Sequence, residues 1–206
     1  MVQYVILGDS NLFFCDPAYR GLPWRLFYDS DANVATMIAD KLGAPCYFYP
    51  LYHLHVSSDN RIRFRSLMDA LRHSADIVLI LWIGQNDAWD LATRFNVSQE
   101  KDSRLLDLNH SARSFCEFLS TLYSFQSIFV LGYHNHSAMS ENSLYMAYSQ
   151  SVLDSLLDCL PGCSLIPMLG TSDTMYVDQS HLTRTAQYAM ACHIATAILD
   201  FSPLNR

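Results

Sequence analysis

The chain has 206 residues, half of them hydrophobic and 16% charged, which excludes a disordered chain and predicts one domain with a sizeable core. The formal net charge is −7 and no basic cluster occurs. Nucleic acid is therefore not an expected partner, because phosphate neutralisation needs clustered Lys and Arg. No apolar run reaches the ~18 residues of a membrane span, so we expect no transmembrane helix.

Strand-like and helix-like segments alternate along the chain. Short apolar runs rich in β-branched residues predict strands, and apolar residues at helical spacing predict helices. The predicted strands are 4–7, 46–49, 76–83, 127–132 and 164–168, and the predicted helices are 31–42, 64–73, 111–123, 141–160 and 183–199. This alternation predicts a three-layer α/β/α sandwich with a doubly wound, mainly parallel sheet of about five strands.

The segments between these elements are polar or irregular. Residues 11–29 are irregular, and residues 50–60 are predicted to be a polar loop. Residues 88–110 form the longest polar stretch, which we interpret as an insertion near the mouth of the functional site, part loop and part helix. No linker divides the sequence, so residues 1–206 are predicted to form a single domain.

The start of the chain and its cysteines both bear on the cellular compartment. The first predicted strand begins so early that we expect no signal peptide and a cytoplasmic protein, or a secreted one if the sequence has been trimmed. Cys46, Cys116 and Cys192 lie in apolar runs and are predicted to be buried free thiols. A Cys159–Cys163 disulfide is the less favoured alternative, because a reducing compartment keeps thiols free.

Three polar motifs follow predicted strands or precede the last helix. Residues 8–11 read Gly-Asp-Ser-Asn after the first strand, and residues 83–87 read Ile-Gly-Gln-Asn-Asp at the end of the third. Residues 178–181 read Asp-Gln-Ser-His before the final helix. Because ligands of parallel α/β sheets bind at the carboxyl ends of the strands, we expect these motifs to face one site.

The residue types in these motifs suit acyl transfer from an ester. A serine hydroxyl such as that of Ser10 needs a histidine to take its proton and a carboxylate to orient that histidine. Asp178 and His181 are three residues apart, so both side chains can point into one cleft. Asn86 ends a strand expected beside Ser10, where its amide could donate to the developing oxyanion, with the backbone N–H of Ser10 as a second donor.

In order and spacing these motifs resemble the SGNH, or GDSL-like, hydrolase family. Residues 8–10 look like its first block, 84–87 like its GxND block and 178–181 like its DxxH block. The site residues implied by the resemblance are Ser10 as nucleophile, His181 as base, Asp178 as its partner and Asn86 as side-chain oxyanion donor, with Asp9, Gly84 and Asp87 in support.

The resemblance also implies a fold and a reaction. The fold is flavodoxin-like, as in SGNH hydrolases. The reaction is that of a serine ester hydrolase, of carboxylesterase, acetylesterase or lipase type, with an acyl-serine intermediate and no cofactor. The partner is a small-molecule, glycan or lipid ester.

One block departs from the family pattern. The family's second block carries a glycine whose backbone N–H completes the oxyanion hole, and its counterpart here is the stretch 56–59, Val-Ser-Ser-Asp, with Ser58 in the glycine's place. Serine retains a backbone N–H, so the donor survives if the loop keeps its path. If the glycine requires a positive φ, Ser58 is strained there.

Two other function classes fit the same residues. A non-catalytic binding protein on this fold is motivated by the loss of the second-block glycine, whereas retention of the other site residues favours an enzyme. An acyltransferase would use the same acyl-enzyme and hand the acyl group to an alcohol instead of water.

Two His-x-His pairs raise the question of a metal site. His53 and His55 form one pair, and His134 and His136 form the other. Alternate residues of an extended segment point to one side, so each pair could chelate zinc. No third ligand is evident, and we predict that these residues lie in polar loops or line a pocket, with no metal bound.

Overall fold

The computed structural model of the protein describes residues 2–8, 34–71, 76–94, 101–122, 125–133, 143–169 and 182–201. Within these residues, five strands form one sheet: β1 (Val2–Gly8), β2 (Cys46–Pro50), β3 (Asp76–Trp82), β4 (Ser127–Leu131) and β5 (Ser164–Ile166). Their spatial order is β2-β1-β3-β4-β5, and every neighbouring pair is parallel. This is the doubly wound, flavodoxin-like order, in which the chain changes direction across the sheet between β1 and β3.

Helices cover both faces of the sheet. In the described parts of the chain they are α1 (Val34–Leu42), α2 (Ser58–Leu71), α3 (Gln85–Arg94), α4 (Lys101–Ser120), α5 (Ser143–Cys159) and α6 (Arg184–Phe201). Helices α1 and α6 pack on one face, and α2 to α5 pack on the other. The predicted three-layer α/β/α sandwich is therefore confirmed. None of the described helices is long and apolar enough to cross a bilayer.

The central strand β3 divides the core into two halves. Its residues 77, 79 and 81 face the α2–α5 layer, and residues 78, 80 and 82 face α1 and α6. Successive side chains of a strand point to opposite faces, so a strand covered on both sides needs the unbroken apolar run found here. Trp82, at the end of β3, is fully buried and belongs to this core.

Helix α2 begins six residues earlier than the apolar spacing predicts. Ser57 caps it: its Oγ accepts a hydrogen bond from the Asn60 N–H at 3.3 Å, and its carbonyl accepts one from the Arg61 N–H at 2.9 Å. A serine cap satisfies the orphan donors of a first turn even when that turn is polar. The prediction of a loop over 50–60 is therefore wrong at Pro50, which ends β2, and from Ser58 onward.

The described part of the predicted insertion at 88–110 is helical. Helix α3 accounts for 85–94, and α4 begins at Lys101 instead of residue 111. Helix α4 buries Leu108, Ala112 and Phe115 at helical spacing. Polar residues and the exposed Leu106 occupy its other faces, which obscures the apolar period in the sequence and explains why the early start of the helix was missed.

Candidate active site

Three strands end level with one another at the edge where the motifs begin. Gly8, the last residue of β1, pairs with Pro50 of β2 and with Trp82 of β3. The Leu51 N–H donates to the Gly8 carbonyl at 2.8 Å, so the loop after β2 leaves the sheet alongside the end of β1. Ser10 follows Gly8 by two positions and lies outside the described residues.

The loop after β2 is hydrogen-bonded to the start of α3. The Asn86 side-chain amide donates to the Tyr52 carbonyl at 3.1 Å. The Leu54 N–H donates to Oδ2 of Asp87 at 3.1 Å, and Oδ1 of the same carboxylate lies 3.6 Å from Nδ1 of His53. Two adjacent side chains of the GxND-like motif therefore fix residues 52–54 against the end of β3.

The contact with Tyr52 orients the Asn86 amide. A primary amide carries two N–H donors, and the bond to the Tyr52 carbonyl uses one of them. Asn86 also lies in the first turn of α3, where backbone N–H groups and the helix dipole favour negative charge. This position is compatible with an oxyanion donor, and the assignment of that role to Asn86 stays a prediction.

Gly84 is required at the turn that precedes α3. Its φ is +102°, a backbone conformation that side chains disfavour. A Cβ at this position would lie 2.7 Å from Cγ1 of Val152 and 2.9 Å from the Tyr133 hydroxyl oxygen. The Tyr133 hydroxyl also donates to the Ile83 carbonyl at 2.9 Å. Packing from α5 and from the segment after β4 thus holds the turn that presents Asn86.

Ser58 is the first residue of α2 and is exposed. No non-glycine residue in the described ranges has a positive φ, so Ser58 does not have the strain that a glycine-only conformation would impose. Its backbone N–H belongs to the first helical turn, where donors lack intrahelical acceptors. The assignment of Ser58 as an oxyanion donor stays a prediction.

Sequence reasoning missed the residue that contacts Asn86. That residue is Tyr52, six positions before Ser58, and it takes part through its backbone carbonyl. Leu54 likewise meets Asp87 through its backbone N–H. Every residue except proline carries both groups, so neither contact leaves a signal in side-chain type.

The remaining predicted site residues lie outside the described ranges: Asp9, Ser10, Asp178 and His181, together with His134 and His136. Their roles stay predictions. Among the residues that the structure describes, no group of three or more His, Cys, Asp or Glu side chains is placed to hold a metal. His53 and His55 are both exposed, and His53 faces Asp87.

No protein-family model and no curated protein sequence matches this chain. Solved structures of esterases do match it. Est24, a carbohydrate acetylesterase from Sinorhizobium meliloti, has a TM-score of 0.57 at 15% identity, over 97% of this chain and 100% of that one. The esterase EstA from Pseudoalteromonas sp. has a TM-score of 0.62 at 14% identity, over 99% of both chains.

A third match is longer than this chain. The acetyl xylan esterase Est2A from Butyrivibrio proteoclasticus has a TM-score of 0.65 at 14% identity, over 96% of this chain but 63% of that one. The chain has the fold of these esterases. The SGNH-type fold implied by the sequence motifs is therefore confirmed, and at this level of identity the likeness is one of fold.

Two clefts flank α4 in the α2–α5 layer of the structure. The first, here called the polar cavity, has a volume of about 490 Å³ and lies between α3, α4 and the loop after β2. The second, here called the helix groove, has a volume of about 580 Å³ and lies between α2 and α4. The polar cavity includes His53 and Asp87 in its wall, whereas the helix groove includes Ser58.

The described cysteines are free thiols. Cys159 and Cys163, the alternative disulfide pair, do not form a disulfide with each other. Cys116 is buried in α4, as predicted, and burial, assisted by the neighbouring Cys159 and Cys163, raises the pKa of its thiol to about 12. A thiol with such a pKa is a poor nucleophile at neutral pH, so Cys116 is a core residue and not a candidate for catalysis.

Proposed function

We propose that this chain is a serine ester hydrolase of the SGNH type that works through an acyl-serine intermediate. The observation that carries the proposal is the Asn86 amide, oriented by the Tyr52 carbonyl at the strand edge where β1 ends. The fold supports it, since the solved structures that share it include carbohydrate and acetyl xylan esterases. The spacing of the three motifs supports it as well.

The proposed reaction begins at Ser10. Its Oγ attacks the ester carbonyl while His181 takes the hydroxyl proton, and Asp178 keeps the imidazole in the required tautomer and orientation. Collapse of the tetrahedral intermediate breaks the bond to the alcohol, which leaves with the proton from His181. Water, deprotonated by the same imidazole, then attacks the acyl-serine and releases the acid.

The tetrahedral intermediate carries a negative oxygen that needs preorganised donors. The Asn86 amide supplies one, and the proposed others are the backbone N–H groups of Ser10 and Ser58. Asp87 and Gly84 support Asn86 indirectly, because Asp87 holds the loop after β2 and Gly84 permits the turn. Such donors act strongly because they are fixed before the charge develops.

Hydrolysis of a p-nitrophenyl ester tests the proposal. We expect activity to rise with pH as the His181 imidazole becomes neutral, because only the neutral form can accept the serine proton. Ser10→Ala and His181→Ala should each lower kcat by orders of magnitude, and the double variant should be little worse than either, because the two residues act as one unit. Additive losses, or a fully active Ser10→Ala variant, would refute the mechanism.

A further inference from the structure

Apart from Asp87, the polar cavity is lined by groups that the proposed mechanism does not use. Its walls are residues 87, 90 and 91 of α3 and residues 104, 107, 108 and 111 of α4, with His53 from the loop after β2. Helix faces with this spacing usually bury apolar side chains against a neighbour. Here most of them carry ionic or hydroxyl groups around a volume of about 490 Å³, the size of a small-ligand site.

The cavity offers both hydrogen-bond acceptors and hydrogen-bond donors, which suits a ligand with many hydroxyl groups. Asp87, Asp90 and Asp107 contribute carboxylates, so an anion would be repelled. Arg104 contributes a guanidinium to the same lining, which adds hydrogen-bond donors to the acceptors of the carboxylates. A hydroxyl group suits both, because it can donate to a carboxylate and accept from a guanidinium or an imidazole.

Three further residues, His53, Leu91 and Leu108, define how such a ligand would lie. The His53 imidazole has Nδ1 turned to Asp87, and 48% of its side chain stays exposed at the cavity. Leu91 and Leu108 add a small apolar area to the lining. A ring that carries hydroxyl groups on its edge and C–H groups on its faces matches this mixture of polar and apolar contacts.

Asp87 connects the cavity to the candidate active site. Its carboxylate lines the cavity and also accepts the Leu54 N–H, and it follows Asn86, the proposed oxyanion donor, directly in the chain. A substrate whose carbonyl oxygen lies at Asn86 would have one of its two ends within reach of the cavity. The acyl end of a common ester is apolar, so the end that suits these walls is the alcohol.

We propose that the polar cavity is the binding subsite for a hydroxyl-rich alcohol portion of the ester, a sugar or another polyol. His53 and Asp107 are the specificity-determining residues. Asp107 lies on the exposed side of α4 and is not part of the core. The inference rests on the proposed ester hydrolase function, which supplies the bond that joins this alcohol to the acyl group.

A matched pair of substitutions tests the subsite. Asp107→Ala removes a carboxylate from the polar cavity, and Asp69→Ala removes another exposed carboxylate from the helix groove. For each variant, kcat/KM would be measured with 6-O-acetylglucose, which keeps free hydroxyls, and with p-nitrophenyl acetate. We expect Asp107→Ala and His53→Ala to lower kcat/KM for 6-O-acetylglucose, relative to that for p-nitrophenyl acetate, about tenfold or more. Asp69→Ala should leave this ratio unchanged.

A binding measurement separates failure of the subsite from failure of the proposed function. Saturation-transfer NMR would follow 6-O-acetylglucose on the folded Ser10→Ala chain, which cannot form the acyl-serine. A sugar signal that Asp107→Ala abolishes supports the subsite even if the wild-type chain hydrolyses no ester. An active wild-type chain whose substrate ratio and sugar signal are both insensitive to His53→Ala and Asp107→Ala would overturn the subsite alone.

A third substrate, acetylcholine, distinguishes a subsite for a polyol from a subsite for a cation. Acetylcholine carries a positive charge in its alcohol portion and no hydroxyl group. If Asp107→Ala lowers kcat/KM for acetylcholine about tenfold while leaving that for 6-O-acetylglucose unaltered, the cavity recognises a cation and the polyol assignment is wrong. Loss confined to 6-O-acetylglucose supports the assignment.

Discussion

The polar cavity and the helix groove lie on either side of α4 and differ little in volume, yet their positions along the helices differ. The groove runs down α2 and α4 as far as Asp69 and Thr121, near the ends of the helices that lead to the amino edge of the sheet. The cavity lies at the start of α3 and in the first half of α4, beside the carboxyl edge. In a parallel α/β fold, position relative to that edge indicates function better than size does.

The side chains of the two clefts also differ in what they connect. In the helix groove, Arg61 donates to the Val56 carbonyl at 3.0 Å and lies over the Phe118 ring at 5.0 Å. These contacts hold α2, its preceding loop and α4 together, as expected of a surface groove between helices. In the polar cavity, Asp87 and His53 instead join the loop after β2 to the turn that presents Asn86.

The largest expected effect on kcat is that of replacing Asn86, beside the polar cavity, compared with an asparagine of α2. Asn86→Ala removes the side-chain donor and should lower kcat by about 10²–10³, the usual loss for one oxyanion-hole contact. Asn60→Ala, in the first turn of α2, removes an amide of the same type and should change kcat less than about threefold. Steady-state hydrolysis of p-nitrophenyl acetate by both folded variants gives the comparison, and equal losses would remove Asn86 from the mechanism.

Substitutions of Ser58 test whether the end of the helix groove nearest the start of α2 belongs to the proposed active site. Proline is well tolerated at the first position of a helix, so Ser58→Pro removes the N–H while keeping α2 intact. If that N–H binds the oxyanion, kcat should fall about 10²-fold in Ser58→Pro and less than about tenfold in Ser58→Gly, which keeps the donor. Unaltered kcat in a Ser58→Pro chain with wild-type circular dichroism would exclude Ser58 from the oxyanion hole.

The cost of adding a methyl group should be larger at Gly84, at the edge of the sheet, than at Gly43, in a surface turn. Gly84 and Gly43 both have a positive φ, but a Cβ would collide with Val152 and Tyr133 only at Gly84 and would meet nothing within 4 Å at Gly43. Backbone strain alone predicts a loss of about 1–2 kcal/mol for Gly43→Ala. Gly84→Ala adds overpacking and should lose about 2–5 kcal/mol in urea unfolding, whereas equal losses would contradict the packing described.

The sequence was sufficient for the sheet and the helix layers. Strand β3 is apolar after Asp76 because it is covered on both faces, and that run is visible without a structure. The early starts of α2 and α4 were not visible. Helix α2 begins at a serine cap followed by polar residues, and α4 shows several polar faces beside its buried one, so neither beginning shows the apolar period that marks a helix.

The site was predictable only where side-chain type carries the chemistry. Asn86 and Asp87 stand out in the GxND-like motif, and the structure brings both to the carboxyl edge of the sheet. Tyr52 and Leu54 contact Asn86 and Asp87 through backbone groups, which nearly every residue type carries, so the sequence does not reveal these contacts. The polar cavity was hidden for another reason: its walls come from two helices and a loop that only tertiary packing brings together.

The central claim is that Ser10 is an activated nucleophile, and covalent labelling tests it most directly. A fluorophosphonate probe reacts with a serine whose hydroxyl is deprotonated by a neighbouring base, and peptide mass mapping identifies the residue. We expect a single adduct on Ser10 that is absent from the His181→Ala chain and retained in Asp107→Ala. A folded wild-type chain that takes up no probe, or takes it up at another serine, would show that Ser10 is not an activated nucleophile.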